Sequence, residues 1–414
     1  MTFLAQYRGM CVSSGLRRAR TCARTNLSVR ACSEVGGSAF LIEQMIAWQA
    51  WMRPDVPVMP VNRLRSYMRG ALAAGRAAEM GRAERAYKKP VLWLDVDTGH
   101  DDAFSVAHCL AARSAGTASV LGLSSTLGNA PEHHTHANTR AVVNACGSDA
   151  PVVRGAQAPL ALGRQRDPPS SIHGPAGLRG VPTLERMRSM PEQDTEPAAV
   201  AMRNAAERVH RDSNGEDKLT LVCCAGLTNV ALMLSLYPGI EEKVKVVWMG
   251  GSSCGGNITA SAEWNAYVDP IAVHNVLHTS QLELVIAPLE ITSWTAAPRG
   301  IYEELKHCFD HHSKQSLLIG QGLAECLATI GETDAAVHDL AASAIALHPE
   351  LFHLKDSLVD IETSPNAITE GQTVFDCRDE WRHEHEKKTN CRVAVHFSAA
   401  YLWPYFIQTL KHLG

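Results

Sequence analysis

The chain has 414 residues, of which 45% are hydrophobic, and a formal net charge of −4. That length suits one large α/β domain or two smaller ones, and the near-balanced charge excludes a global basic field for nucleic acid. No run of about twenty apolar residues is present, which argues against a membrane-spanning helix, and the 12 cysteines lack any C-x-x-C spacing, which favours thiols in a reducing, cytoplasmic compartment over zinc ligands.

The first 88 residues differ from the rest. Residues 1–33 carry six Arg and no Asp or Glu, a composition that fits a mitochondrial transit peptide, a disordered extension, or a stretch upstream of the start codon in use. Phe40–Met52 and Ala71–Ala86 read as helices without a chemical motif. A linker ending near Lys88-Lys89-Pro90 divides the chain into an N-terminal extension, 1–88, and a single domain, 89–414.

The domain opens on an apolar strand, Val91–Leu94, that runs into Asp95, Asp97, Asp101 and Asp102: four carboxylates in eight residues. Four like charges so close need a cation or strong donors to hold them, and crowded carboxylate oxygens suit calcium or magnesium. The plainer alternative is a surface Asp-rich turn.

Further strands are expected at Ala118–Ser124, Leu219–Cys224, Val244–Met249 and Leu282–Ala287. Helices are expected at Asp102–Ala112, His136–Ala145, Ala198–Arg211, Asn229–Leu236 and Ala272–Leu277, with a helical stretch over 296–337. Strand–helix alternation predicts an α/β fold, an open, mostly parallel sheet with helices on both faces. Ligands of such sheets bind beyond the carboxyl ends of the strands, which is where the polar motifs fall. The Pro-, Arg- and Ser-rich insertion 161–196 is placed to cover that edge. The charged run Cys377–Asn390, with His383 and His385, reads as a solvated loop rather than a metal site, as do His307, His311 and His312.

The early motif stands as Asp95-x-Asp97-x-Gly99-x-Asp101-Asp102-Ala103. It is followed in order by Thr126-Leu-Gly128-Asn129, His173-Gly174-x-x-Gly177-Leu178 and Gly226-Leu227-Thr228-Asn229. Then come Met249-Gly250-Gly251, Gly256-Asn257, Ala262-Glu263-Trp264-Asn265, Asp269-Pro270 and His338-Asp339. This ordered set resembles the inosine–uridine preferring nucleoside hydrolase family over about residues 90–412. Asp95-Val96-Asp97 also fits the start of the haloacid dehalogenase-type phosphatase pattern, with Asp95 as nucleophile, but the later Lys and acidic pair of that class have no counterpart here. A third reading is a catalytically inactive, ribosyl-binding homologue.

The resemblance implies a Rossmann-related fold and hydrolysis of uridine- or inosine-type ribonucleosides to ribose and free base, in nucleoside catabolism and salvage. It implies one calcium ion held by Asp97, Asp102, Asp339 and the backbone carbonyl of Cys224, with Asp97 as general base for a metal-activated water. Asp101 and Asn265 would take the 2′-hydroxyl side, Asn129 the 2′/3′ edge, and Asn257 and Glu263 the 5′-hydroxyl, with Met249 also lining the site. His338 would face the nucleobase and protonate it as it leaves, with His173 in the same pocket. Trp264 stands where relatives often have Phe and would narrow the base pocket, and Asn229 is given a structural role. Assembly as a homodimer or homotetramer is likewise what the resemblance implies.

Overall fold

A computed structural model describes residues 89–161, 166–189, 196–298, 300–307, 313–331, 336–376, 378, 388–397 and 399–413. The expectations for residues 1–88, including Phe40–Met52 and Ala71–Ala86, lie outside the described residues, and so do the imidazoles of His307, His311, His312, His383 and His385.

Among the described residues, nine strands make one sheet: β1 Val91–Val96, β2 Ser119–Ser125, β3 Val152–Val153, β4 Leu219–Cys223, β5 Val244–Met249, β6 Glu283–Ala287, β7 Phe352–Ile361, β8 Thr373–Asp376 and β9 Cys391–Phe397. Their order is β3-β2-β1-β4-β5-β6-β9-β7-β8. Pairing is parallel from β3 through β9, and antiparallel where β7 meets β9 and β8.

The inner strands form because both of their faces can be buried, which is the condition parallel sheets require. Leu92, Leu94 and Val96 of β1 join one apolar core, with the Asp102–Ser114 helix and the aromatic C-terminal helix Ala399–Leu410. Trp93 faces the other core, with the helices Ala198–Asp212, Thr228–Leu236 and Pro270–Leu277. The five strands expected from sequence are present to within two residues at each end. β3, β7, β8 and β9 were not expected: β3 is two residues long, and β7 intersperses charged with apolar positions although it is paired on both sides.

The chain runs outward from β1 through β2 to β3, then returns to the centre and runs the other way from β4 through β6. The switch point therefore lies between β1 and β4, and a crevice opens beyond their carboxyl ends. The Asp-rich turn after β1 and Cys224 after β4 both sit there.

Candidate active site

β1 carries Asp95 into the sheet as a pillar. Its Oδ1 accepts the Ser124 hydroxyl at 2.5 Å and the Asn229 amide at 2.8 Å. Asp95 is fully buried, and burial pushes its pKa up to about 7. Its Oδ1 is spent on these sheet contacts, a structural role rather than that of a phosphatase nucleophile. Asn229 is structural, as expected, bridging Asp95, the Ser125 carbonyl at 3.0 Å and the Ala156 amide at 2.8 Å.

Beyond the strand, Asn129 organises the next carboxylates. Its backbone N–H donates to Asp97 Oδ2 at 2.7 Å, and its side-chain amide reaches Asp97 Oδ1 at 3.3 Å and Asp102 Oδ2 at 3.2 Å. Asp102 also accepts the Gly99 N–H at 2.9 Å. Gly128 makes this possible, because a Cβ there would overlap Asp97 Oδ2. Asp339 enters from far along the chain, just ahead of the Leu340–Leu347 helix, and its side chain makes no capping bond there.

Ligand oxygens of Asp101, Asp102 and Asp339 lie within 4.8 Å of one another; Asp97, expected as a ligand, is outside that grouping and is joined to Asp102 through the Asn129 amide. Asp101 Oδ1 is buried with no hydrogen-bond partner. Burial and mutual repulsion raise the pKa of Asp97 and Asp339 well above the carboxylate range, and that of Asp102 to about 7. Buried carboxylates that resist ionisation fit a hard divalent cation, which would reverse the penalty, and the orphaned Asp101 oxygen beside them is left for a ligand. The Cys224 carbonyl faces the same space, accepting the Asn265 amide at 3.3 Å, and a carbonyl keeps a second lone pair for a metal.

A cavity of about 450 Å³ opens above this floor. Asp101, Asn129, His173, Cys224, Met249 and Asn257 line it, together with Glu263, Trp264, Asn265, His338 and Asp339. Of the residues expected at the site, Asp97 and Asp102 alone do not line it, and they lie fully buried within the same carboxylate cluster.

The rim shows what each group has left to offer. Asn257 Oδ1 accepts the Trp264 N–H at 2.9 Å, which leaves its amide nitrogen for a ligand. The Asn265 amide is spent on the Cys224 and Met249 carbonyls, which leaves its oxygen. Glu263 caps the Trp264–Val268 helix through Asn265 and Ala266 N–H and also accepts Gly251 N–H; burial raises it to about 7. The buried indole N–H of Trp264 has no partner.

His338 is half-buried, and burial lowers its pKa. Its Nδ1 meets the Thr292 hydroxyl at 2.8 Å, which orients the ring and leaves Nε2 uncommitted. His173 stacks on His100, Nδ1 to Nδ1 at 2.9 Å, and His100 donates from Nε2 to the Arg179 carbonyl at 3.0 Å. Thr292 and His100 are the positioning residues that sequence reasoning missed. Only His100, inside the Asp-rich motif, had a local signal.

The family profile described as inosine-uridine preferring nucleoside hydrolase matches residues 92–404. An uncharacterised Schizosaccharomyces pombe protein is 32% identical over 338 residues, covering 78% of this chain and 94% of the relative. A probable ribonucleoside hydrolase of Dictyostelium discoideum is 33% identical over 297 residues, 69% of this chain and 85% of the relative. A non-specific ribonucleoside hydrolase of Klebsiella pneumoniae is 31% identical over 294 residues, 68% and 87%. Among solved structures, a plant nucleoside hydrolase and a purine-preferring ribonucleoside hydrolase from Gardnerella vaginalis each share the fold at a TM-score of 0.64 and 21% identity. Each match covers 78% of this chain, and 99% and 98% of those chains respectively.

Proposed function

Since the chain belongs to the inosine–uridine preferring nucleoside hydrolase family, and so to the N-glycosyl hydrolases, we propose that it is a calcium-dependent hydrolase of uridine- and inosine-type ribonucleosides. The observation that carries this reading is the single cavity whose floor gathers Asp101, Asp102 and Asp339 and whose rim is the amide-rich set around Asn265. Asp97, Asp102, Asp339 and the Cys224 carbonyl would hold the ion. When bound, it supplies positive charge and Lewis acidity toward water and sugar hydroxyls.

The chain's own residues do the rest. Asp97 takes the proton of the attacking water. Asn129 aims both Asp97 oxygens, through its backbone N–H and its side-chain amide. Attack by water from the face opposite the base inverts the anomeric carbon. Asp101 and Asn265 accept from the 2′-hydroxyl side, Asn129 lies at the 2′/3′ edge, and Asn257 with Glu263 grips the 5′-hydroxyl. Deoxy sugars would leave these buried groups unpaired and be rejected. His338 Nε2 passes a proton to the departing base, and His173 and Trp264 bound the base pocket. Assembly as a homodimer or homotetramer, readable by light scattering, belongs to the same proposal.

The test is ribose release from uridine, inosine, cytidine, adenosine and guanosine, with and without a calcium chelator. Release of ribose from uridine and inosine that stops on chelation supports the reading. Phosphate release from phosphomonoesters, or nucleoside binding without ribose release, contradicts it.

A further inference from the structure

Away from the cavity, the Pro270–Leu277 helix and the residue that closes it carry a second set of metal-type side chains. His274 and His278 are four residues apart, so their rings share one face at the helix C-terminus, with centroids 4.2 Å apart. β7 packs Asp360 against them. Asp360 Oδ1 lies 3.2 Å from His278 Nε2 and 3.7 Å from His274 Nδ1. All three ligand atoms fall within 4.8 Å of one another.

An ordinary surface ion pair explains the His278–Asp360 contact and leaves His274 unexplained. Its Nδ1 is buried and has no hydrogen-bond partner, and 3.7 Å is too long to supply one. The spacing instead suits a shared ion. Ligands about 2.0–2.2 Å from a tetrahedral zinc stand roughly 3.3–3.6 Å apart. The backbone N–H of Ile361 donates to Asp360 Oδ1 at 2.8 Å and fixes that oxygen in place. β7 is itself held on both sides by β8 and β9. A cation here also sits at a helix C-terminus, where the backbone dipole favours positive charge.

We propose that His274, His278 and Asp360 form a second metal site, for zinc or a similar first-row divalent ion, that clamps the end of the Pro270–Leu277 helix to β7. Two imidazoles and one carboxylate are a nitrogen-rich set, unlike the all-oxygen floor of the cavity, so the two sites select different ions. The cysteine pattern that spoke against zinc has no bearing on a site built from imidazoles. Three protein ligands leave a fourth position for water, and none of the three lines the cavity. Because it joins the end of the Pro270–Leu277 helix to β7, away from the cavity, its role is that of a clamp on the fold.

The experiment uses the full chain, stripped with chelator and then saturated with Ca²⁺ to fill the carboxylate floor. Zn²⁺ is titrated calorimetrically into wild type, His274→Ala, His278→Ala and Asp360→Asn, and Co²⁺ absorption reports the geometry. Wild type should bind one more equivalent of Zn²⁺ than the variants, or bind it at least about 100-fold more tightly, the upper end for disturbing even an outer-sphere partner. Zn²⁺ should raise the melting temperature of wild type and not of the variants, with ribose release unchanged in all four. Melting without metal shows whether each variant folds, and Asp360→Asn keeps the acceptor for the Ile361 N–H. Equal Zn²⁺ stoichiometry and affinity in folded wild type and variants would overturn the site.

Discussion

His338 and Thr292 show how one side chain acquires a task from another. The Thr292 hydroxyl takes up Nδ1, so the ring presents Nε2 to the cavity. If His338 protonates the departing base, His338→Ala should slow inosine and uridine hydrolysis by roughly 10²–10⁴-fold, the usual cost of losing a general acid. A nitrophenyl riboside has a leaving group that needs no proton and should lose little. Asn257→Ala should slow both substrates alike, since both use the same ribose contacts. Thr292→Val should reproduce a fraction of the His338 defect, roughly 2–10-fold, from loss of one orienting hydrogen bond. Equal losses on inosine and nitrophenyl riboside in His338→Ala would reduce His338 to a wall of the pocket. Much at this scale was legible: Asp95 to Asp102 are neighbours in sequence, and their crowding signals a cation. Thr292 was not, because its partner is 46 residues away and nothing local distinguishes it from other threonines.

Among elements, the legible ones were those whose burial writes itself into composition. β1, β2, β4, β5 and β6 are apolar runs because helices cover both faces. β7 intersperses its buried positions with exposed His353, Lys355, Asp356 and Asp360, so its sequence resembles a polar segment. β9 is recognisable only through its parallel neighbour β6 and antiparallel neighbour β7. Turns carry as much of the site as strands do. The loop at Gly128 lets the backbone pass against Asp97, and a Cβ there would strike Oδ2. Gly128→Ala should therefore cost about 1–3 kcal/mol of stability, in line with backbone strain at functional sites, and weaken calcium binding, read by denaturant melts and calcium titration. Unchanged calcium affinity would show that the Asn129–Asp97 contact does not shape the site. Glu263 was expected only as a sugar ligand. It also caps the Trp264–Val268 helix, a role set by where that helix starts.

For the whole molecule, the carboxylate floor couples stability to pH. Asp97, Asp102 and Asp339 have folded pKa values raised above the ordinary 3.8, about 7 for Asp102. In the cation-free protein their contribution is full below about pH 4 and lost as pH rises through the folded values, since the buried protonated form is the favoured one. Calcium binds the ionised form, so the melting-temperature increment it gives should grow from pH 5 to pH 8 in scanning calorimetry. An increment independent of pH would place calcium elsewhere. The profile match covers residues 92–404, and a chain beginning at Tyr87 should keep its turnover. A folded but inactive product would mean that residues 1–88 take part in the site. Fusing residues 1–35 to a reporter tests for mitochondrial import directly, and a reporter that stays outside mitochondria rejects the transit-peptide expectation.

The central claim is that carboxylates from opposite ends of the domain hold one cation on which nucleoside hydrolysis depends. Asp102→Ala and Asp339→Ala test it most directly, because the two residues lie far apart in sequence and share one cluster. Bound calcium and ribose release from inosine would be measured on the same folded samples. Each variant should lose both together. Full calcium occupancy with normal turnover in either variant would contradict it.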